Sequence, residues 1–550
     1  MKRIFLVFVV SALILWGIVS VSFAVNSYIF SLNTLRVDVK GNTIWESKAL
    51  IKVEDPSSLS KSIVWRYNPE VANLVVERIR LKRSDGRVEL LALDVKDYGS
   101  LIEKRASLEG VRSGDIIELS FRLGEKGALP PYFWFYFPYP DRMEMNKVRW
   151  EIFSAGGFSS NENFLKGAFE KGEIPASEPF SPPREPLLIT SLSSWNMAFP
   201  LFAVREEAFS LKEIEEKLSK VVTKGDKLEL LWKILSEKKV MEGWSFADQG
   251  YAFSPLERIW NRKEVTPSDL SYFIYSVLRK VGLSPEMVWV SRWPLNEKYP
   301  VPSLLSHPLI RVVIEDKTYW LDPYALGLPP GYIHPDFQGS KGIIFSFNKA
   351  KFVSVPILAE SFSSEEANMS IDLSETGDYD FSVKVISKGW LSNYIRRFSE
   401  LDGVTDLRFG DKGSISIEEI KGKSKLYVDS FGKRIAVSLP SLSFPLEFLG
   451  LPLERKEAID LKFLRKFEHT ITLKYPRRWR VVSLPLPFSR EEEAFSVSSR
   501  FYEGRGNTIK LSYSFRLKKK YLSPEEWVAL RKAIVMLEDY VRTQLLFERR

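Results

Sequence analysis

The 550-residue chain contains no cysteine, and this one absence excludes disulfides, Cys-ligated zinc, iron–sulfur clusters and any thiol chemistry. Histidine is almost as scarce. His307, His334 and His469 stand in no metal-ligand spacing, and no metal or other cofactor is expected. Glutamine occurs only at Gln249, Gln338 and Gln544 while Lys, Arg and Glu abound, a balance that points to a thermophilic source. A dominant charge sign is missing as well: 79 basic residues are mixed with 70 acidic ones, for a net charge of +9. The longest basic run, Arg516-Leu517-Lys518-Lys519-Lys520, is short and reads as solvated surface, so nucleic acid is not an expected partner. There is no internal repeat and no phosphate-cradling Gly-rich loop.

Long apolar runs are confined to residues 4–21. That run follows Lys2-Arg3 and precedes Ser22-Phe23-Ala24, the pattern of a secretory signal with a small-x-small cleavage site. Residues 1–24 are therefore expected to be a signal peptide and the rest to be exported, to the periplasm or cell envelope. An uncleaved anchor is the other reading, and the positive residues before it would also leave the body outside the cytoplasm.

The remainder has the 45% hydrophobic content of ordinary globular protein and a length that suits several domains. Strand-like alternation dominates the first part, at 34–39, 71–81, 88–95, 116–123 and 148–153, with Ser84-Asp85-Gly86 as a turn. The aromatic run Tyr132-Phe133-Trp134-Phe135-Tyr136-Phe137 reads either as a buried strand or as an exposed platform for a polymer, peptide or membrane. Residues 159–186, rich in Ser, Pro, Glu and Gly, read as a linker. Three helix starts follow: Ser210-x-x-Glu213, a second capped by Asp226, and Ser254-Pro255-x-Glu257. Strands return after 351, at 380–385, 426–428, 470–475, 480–484 and 508–516. A last helix opens on the capping box Ser523-Pro524-Glu525-Glu526, with Trp527, Leu530, Ile534, Leu537 and Val541 as a stripe that docks on the chain's own strands or on a second copy. The expected plan is a β-domain with its linker at 25–204, an α+β core at 205–350, and a C-terminal β-domain with a terminal helix at 351–550.

The most informative stretch runs from 254 to 323. Thr266 can cap a helix, Pro267 suits its first turn, and Asp269 completes a capping box. Leu270, Phe273, Ile274, Val277, Leu278 and Val281 then give a buried face, and Gly282 stops the helix. A strand is expected at 287–291. Alternation in 309–314 and 319–321 gives a hairpin turning at Glu315-Asp316-Lys317, which brings His307 and Asp322 together. In a cysteine enzyme such a carboxylate orients one imidazole nitrogen while the other faces a thiolate at a helix N-terminus.

These residues carry a family resemblance. Arg262-Lys263, Asp269, Leu278-Arg279, Gly282, His307, Tyr319-Trp320-Leu321-Asp322-Pro323 and Gly339, in that order, resemble the bacterial transglutaminase-like core, which implies a papain-type fold. In that family the catalytic Cys stands two residues before the Asp of a Gly-Asp-Cys-Lys-Asp-Lys motif, and about fifteen before the Gly that ends the helix. Counting without gaps from Asp269 or Gly282 reaches Pro267 either way, so the nucleophile is absent and Val265-Thr266 replaces the preceding Gly-Asp. Ser268 enters the Cys position only by a one-residue slip, which rotates a helical side chain by about 100°. Arg83-Ser84-Asp85-Gly86 and Gly114-Asp115-Ile116-Ile117-Glu118-Leu119 resemble the domain of unknown function that often precedes this core in exported proteins. Leu451-Pro452-Leu453-Glu454-Arg455 is similar to the β-domain behind it.

Two functions follow from the resemblance. One is a catalytically inactive, exported module that binds a peptide, a protein or a cell-envelope polymer, with His307 and Asp322 as a remnant pair. The other is a serine-dependent amide hydrolase or acyltransferase using Ser268, His307 and Asp322.

Overall fold

The computed structural model describes residues 26–138, 143–164, 168–172, 174, 177–178, 180–204, 212–393, 404–411, 415–426, 428–440, 442, 448 and 451–550. The apolar leader and Ser210 lie outside the described residues. The chain divides into two compact units, Met1–Phe133 with Tyr139–Ser177, and Trp134–Pro138 with Glu178–Arg550.

The first unit is built on a long sheet. Asn26–Val37 pairs antiparallel with Thr43–Lys52 and parallel with Val148–Ser154, so the strand nearest the start is stapled to one reached much later. The sheet continues through Ile116–Glu125 and Ala72–Lys82 to the edge at Val88–Leu90. Its apolar side buries Ile51, Leu81 and Ile117 in one cluster and Leu74, Tyr67 and Phe121 in another. The expected strand at 88–95 is two strands with different partners: Val88–Leu90 joins Ala72–Lys82, and Leu93–Asp97 joins Ile102–Ser107. Within the expected linker at 159–186, Ala168–Lys171 is a strand, the antiparallel neighbour of Val148–Ser154. The two motifs singled out here meet. Asp115, 1% exposed, accepts from Arg83 Nη1 (3.0 Å) and from the backbone N–H groups of Ser84 (3.2 Å) and Arg112 (2.9 Å). Gly86 and Gly114 have φ of 88° and 87°, which suits the turns that bring these segments together.

The second unit begins with Trp134–Phe137, the aromatic run, as a strand paired with Leu187–Thr190 and half-buried on both faces. Helices α1 (Lys212–Ser219), α2 (Lys224–Leu235) and α3 (Leu256–Asn261) precede α4 (Pro267–Lys280). Two expected caps are corrected. Thr223, not Asp226, caps α2, with Asp226 as the third helical residue whose N–H it accepts (3.0 Å). Ser254 does not cap α3; its backbone N–H is committed to the Asp269 carboxylate. Helix α4 ends as expected: Gly282, at φ 79°, donates to the Arg279 carbonyl and Leu283 to that of Leu278, the paired bonds that close a left-handed helix end. It packs on a sheet ordered β3-β2-β1-β4-β5, where β1 is Glu286–Val290, β2 His307–Ile314, β3 Lys317–Leu321, β4 Lys341–Ser346 and β5 Lys349–Ser354.

After this α+β region a second large sheet runs from Val404–Asp411 through Ile415–Lys425, Asp378–Lys388, Ser364–Leu373, Arg465–Lys474, Thr508–Leu517 and Phe495–Glu503 to Phe488–Glu491. Helix α5 (Pro524–Val541) buries Trp527, Leu530, Ile534, Leu537 and Val541 in the core of that region, so the stripe is used within the chain. The basic run is not all solvated surface. Lys520 is 2% exposed, and its ammonium donates to the carbonyls of Gln338 (2.6 Å) and Pro335 (3.1 Å), while Lys518 and Lys519 pair with Glu491 and Glu493. Among the described residues no helix is long and apolar enough to cross a membrane.

Candidate functional site

The first turn of α4 is fully enclosed: Thr266, Pro267, Ser268 and Asp269 are all buried. Thr266 Oγ1 accepts from the Asp269 N–H (3.2 Å), so the cap is real. The expected capping box is only half made. The Asp269 carboxylate turns away from the helix and accepts from the Ser254 N–H at 2.8 Å, tying the loop before α3 to this turn. An Asp side chain is one methylene shorter than the Glu that usually closes the box. Burial pushes the Asp269 carboxyl up, against the hydrogen bonds from Ser254 and Gln249 and the charge of Arg262.

One turn further, Ser271 Oγ donates to the Pro308 carbonyl at 2.5 Å. This bond clamps α4 to β2 beside His307. Pro267, four residues before Ser271, lies about 40° from it around the helix axis, and Ser268 about 60° to the other side. Both flank the line that faces β2.

His307 opens β2 opposite Val290, the last residue of β1. Ile310 pairs with Leu321, which places Asp322 level with Leu309 and His307 two positions along on the same face. The two are thus diagonal neighbours, a spacing wider than that of a direct pair. Accordingly His307 Nε2 lies 3.8 Å from Asp322 Oδ1, beyond hydrogen-bond reach, and among the described residues that nitrogen has no hydrogen-bond partner. The expected His307–Asp322 neighbourhood is present, but the orienting bond is not made. The carboxylate is committed elsewhere: Oδ1 accepts from the Tyr324 N–H (2.9 Å) and Oδ2 from the His334 N–H (2.7 Å). Rings of Phe337 (4.2 Å) and Tyr324 (4.9 Å) meet the imidazole edge-on.

An ion pair would raise the His307 pKa and lower that of Asp322. Both move the other way. Burial, then the charges of Arg292 and His334, hold His307 well below its ordinary value, and burial pushes Asp322 up to about 6. Desolvation therefore dominates at both groups and favours the uncharged imidazole. Ser268 is 0% exposed, and its Oγ, like His307 Nε2, lacks a hydrogen-bond partner among the described residues.

The loop at 332–338 is the part that sequence reasoning missed. His334 reaches Asp322 through its backbone and Trp390 through its ring (5.5 Å), and burial lowers its pKa to about 4. Lys520 holds the loop from one side, Trp390 Nε1 donates to Ile333 O at 3.1 Å, and Lys462 Nζ lies 3.4 Å from both Asp336 and Asp460. Lys462–Asp460 apart, nothing in local spacing marks these contacts, since they join residues far apart in the chain. His469 lies away from this loop, buried against Glu365 (2.7 Å). Trp244 is buried, and Trp260 stacks on Phe273 of α4 (5.8 Å). Among the described residues no group of three His, Cys, Asp or Glu side chains is placed to hold a metal.

Residues 439–547 match the family model described as a domain of unknown function with solved structure, DUF3858. That segment supplies the strands of the second sheet from Arg465–Lys474 to Phe488–Glu491, together with α5. No curated protein matches the chain. Among solved structures, the crystal structure of a "putative protease" from Parabacteroides distasonis ATCC 8503 aligns over 95% of this chain and 99% of that one, with a TM-score of 0.65 and 15% identity. This match shows a shared fold. Yeast LTA4 hydrolase (TM-score 0.18, 9% identity, 30% of this chain and 28% of that one) and an M1 zinc metallopeptidase from Deinococcus radiodurans (0.18, 12%, 30% and 42%) align too little to carry an argument.

Proposed function

We propose that this chain is a papain-type, transglutaminase-like protein that has lost acyl-transfer chemistry and serves at the cell envelope as a binding module for a peptide, protein or polymer. The observation that carries the reading is the first turn of α4. The position that the resembled family gives to its nucleophile is Pro267, which has no nucleophilic atom, and no Cys exists elsewhere in the chain to replace it. The surroundings support the same reading: Asp322 accepts from the backbone N–H groups of Tyr324 and His334 and stays 3.8 Å from His307 Nε2, so it does not orient the imidazole. The whole-chain likeness to a structure described as a putative protease fits a fold of hydrolytic ancestry.

The serine-dependent reading has one observation in its favour. Ser268 Oγ and His307 Nε2 are both buried, without hydrogen-bond partners among the described residues, on the two elements that the Ser271–Pro308 bond clamps together. A fluorophosphonate probe separates the two, since it labels only an activated serine. No labelling is expected. Labelling that disappears in Ser268→Ala, with the fold intact, would replace the binding module with a serine enzyme. Export is tested by N-terminal sequencing from an envelope fraction, expected to begin at Val25 or to find the intact terminus membrane-bound. Recovery in the cytoplasm with Met1 intact and no membrane association contradicts it.

A further inference from the structure

The turn between β4 and β5 carries a residue that neither the fold nor the candidate site requires. Ser346 pairs with Lys349, so the loop is the two residues Phe347 and Asn348, with φ of 48° and 59°. Positive φ at both positions is the geometry of a tight hairpin turn that favours Asn-Gly or Asp-Gly, and a bulky ring at the first position is disfavoured. Phe347 is nevertheless there, and it is 94% exposed. The neighbouring hairpin of the same sheet is a control. Glu315 and Asp316, between β2 and β3, adopt φ of 51° and 63°, so the backbone geometry alone does not select an aromatic residue.

The base of the Phe347 hairpin is rigid. Phe345 stacks on Phe202 (4.6 Å), Phe352 meets Trp195 edge-on (6.3 Å), and the Ala350 N–H donates to Asn196 Oδ1 (2.8 Å). The tip is thus a braced prong bearing one apolar ring. Lys349 and Lys351 beside it are exposed, and among the described residues neither makes an ion pair. Because β2 and β4 both run antiparallel to β1, the two hairpin tips emerge at the same end of the sheet, opposite the end where Val290 meets His307 and Gly342. The acidic tip is about three strand spacings away, roughly 14 Å, farther than the screening length at physiological salt.

We propose that the Phe347 tip is a contact point for an anionic lipid surface, with the ring entering the interface and Lys349 and Lys351 on headgroup phosphates. A lipid surface fits better than a protein. A stable protein interface takes about 800 Å² from each partner, whereas the apolar content of this tip is a single ring among Ser346, Asn348 and Lys349. A bilayer interface accepts one ring flanked by cations as a reversible contact. Binding here leaves the opposite end of the sheet, with the candidate site, uncovered.

The lack of cysteine makes the test clean, since Ser346→Cys in the full chain accepts one environment-sensitive fluorophore at one place. The readout is local, so membrane binding through the apolar run at 4–21 does not by itself move it. With vesicles rich in phosphatidylglycerol the emission is expected to shift to the blue and to be quenched by nitroxide-labelled lipid. Phosphatidylcholine vesicles are expected to do neither. Adding Phe347→Asn should weaken the response roughly tenfold or more, while the melting temperature holds or rises because Asn suits the turn. The same fluorophore at Lys317→Cys, on the acidic tip, should stay in water. The proposal is overturned by an unchanged signal with anionic vesicles, by an equal shift in the Phe347→Asn background, or by a lipid-independent shift that grows with protein concentration, which would assign the tip to a second copy.

Discussion

Two helices of this chain open on closely similar sequences, Thr266-Pro267-Ser268-Asp269 in α4 and Ser523-Pro524-Glu525-Glu526 in α5, and each start has a different job. In α5 the capping box is complete: the Glu526 N–H donates to Ser523 Oγ, and Glu526 Oε2 accepts from the Ser523 N–H at 2.9 Å. Its first turn is partly open to solvent. In α4 the carboxylate leaves the box, is buried, and holds a loop fifteen residues earlier in the chain. The pKa directions record the difference. Accepting the Ser523 N–H holds Glu526 below the usual carboxylate range, whereas burial raises Asp269. A capping sequence thus says where a helix begins, while the burial of its first turn says whether those residues serve anything beyond the helix.

The sharpest way to break this comparison is to remove each carboxylate. Asp269→Ala should cost about 3 kcal/mol, because it strands the half-buried Ser254 N–H and opens a gap in an enclosed turn. Glu526→Ala should cost about 1 kcal/mol. Urea midpoints of the two variants measure both, and equal losses would mean that the Asp269–Ser254 bond carries no tertiary load.

A middle-sized effect concerns acid. The folded-state pKa of His334 is about 4, below its unfolded value, so its contribution is present above pH 6.5 and is lost as pH falls towards 4. Asp322, raised to about 6, acts in the opposite sense: its contribution is full below the unfolded value of 3.8 and is lost as pH rises through 6. His334→Gln should therefore lose less stability than the parent between pH 7 and pH 4, by about 2 kcal/mol after allowance for its partial exposure. A parallel acid limb in the two proteins would remove His334 from the buried network. The smallest effect is Ser523→Ala, about 1 kcal/mol by thermal melt. No change there would deny the cap of α5.

Much of the site region was legible because it is local. The cap at Thr266, the stop at Gly282 and the hairpin turning at Glu315-Asp316 each depend on a few adjacent residues, and the structure places the strands within two or three residues of expectation. What was not legible is long-range. The parallel pairing of Asn26–Val37 with Val148–Ser154, the Lys520 clamp on 335–338 and the His334 N–H on Asp322 join segments with no shared pattern. The His307–Asp322 pair fell between the two cases. Strand register makes the residues neighbours, but the carboxylate's other partners decide whether they bond.

The central claim, that the first turn of α4 holds a vacated nucleophile position at Pro267, is tested most directly by thiol reactivity. Pro267→Cys and Ser268→Cys are compared by iodoacetamide labelling across pH, each with and without His307→Ala. Both positions are buried, so access slows both, and their ratio reports which side chain faces His307. Faster, His307-dependent labelling is expected for Pro267→Cys than for Ser268→Cys. If Ser268→Cys is instead the faster and His307-dependent variant, the register is off by one residue and the loss-of-nucleophile account is contradicted.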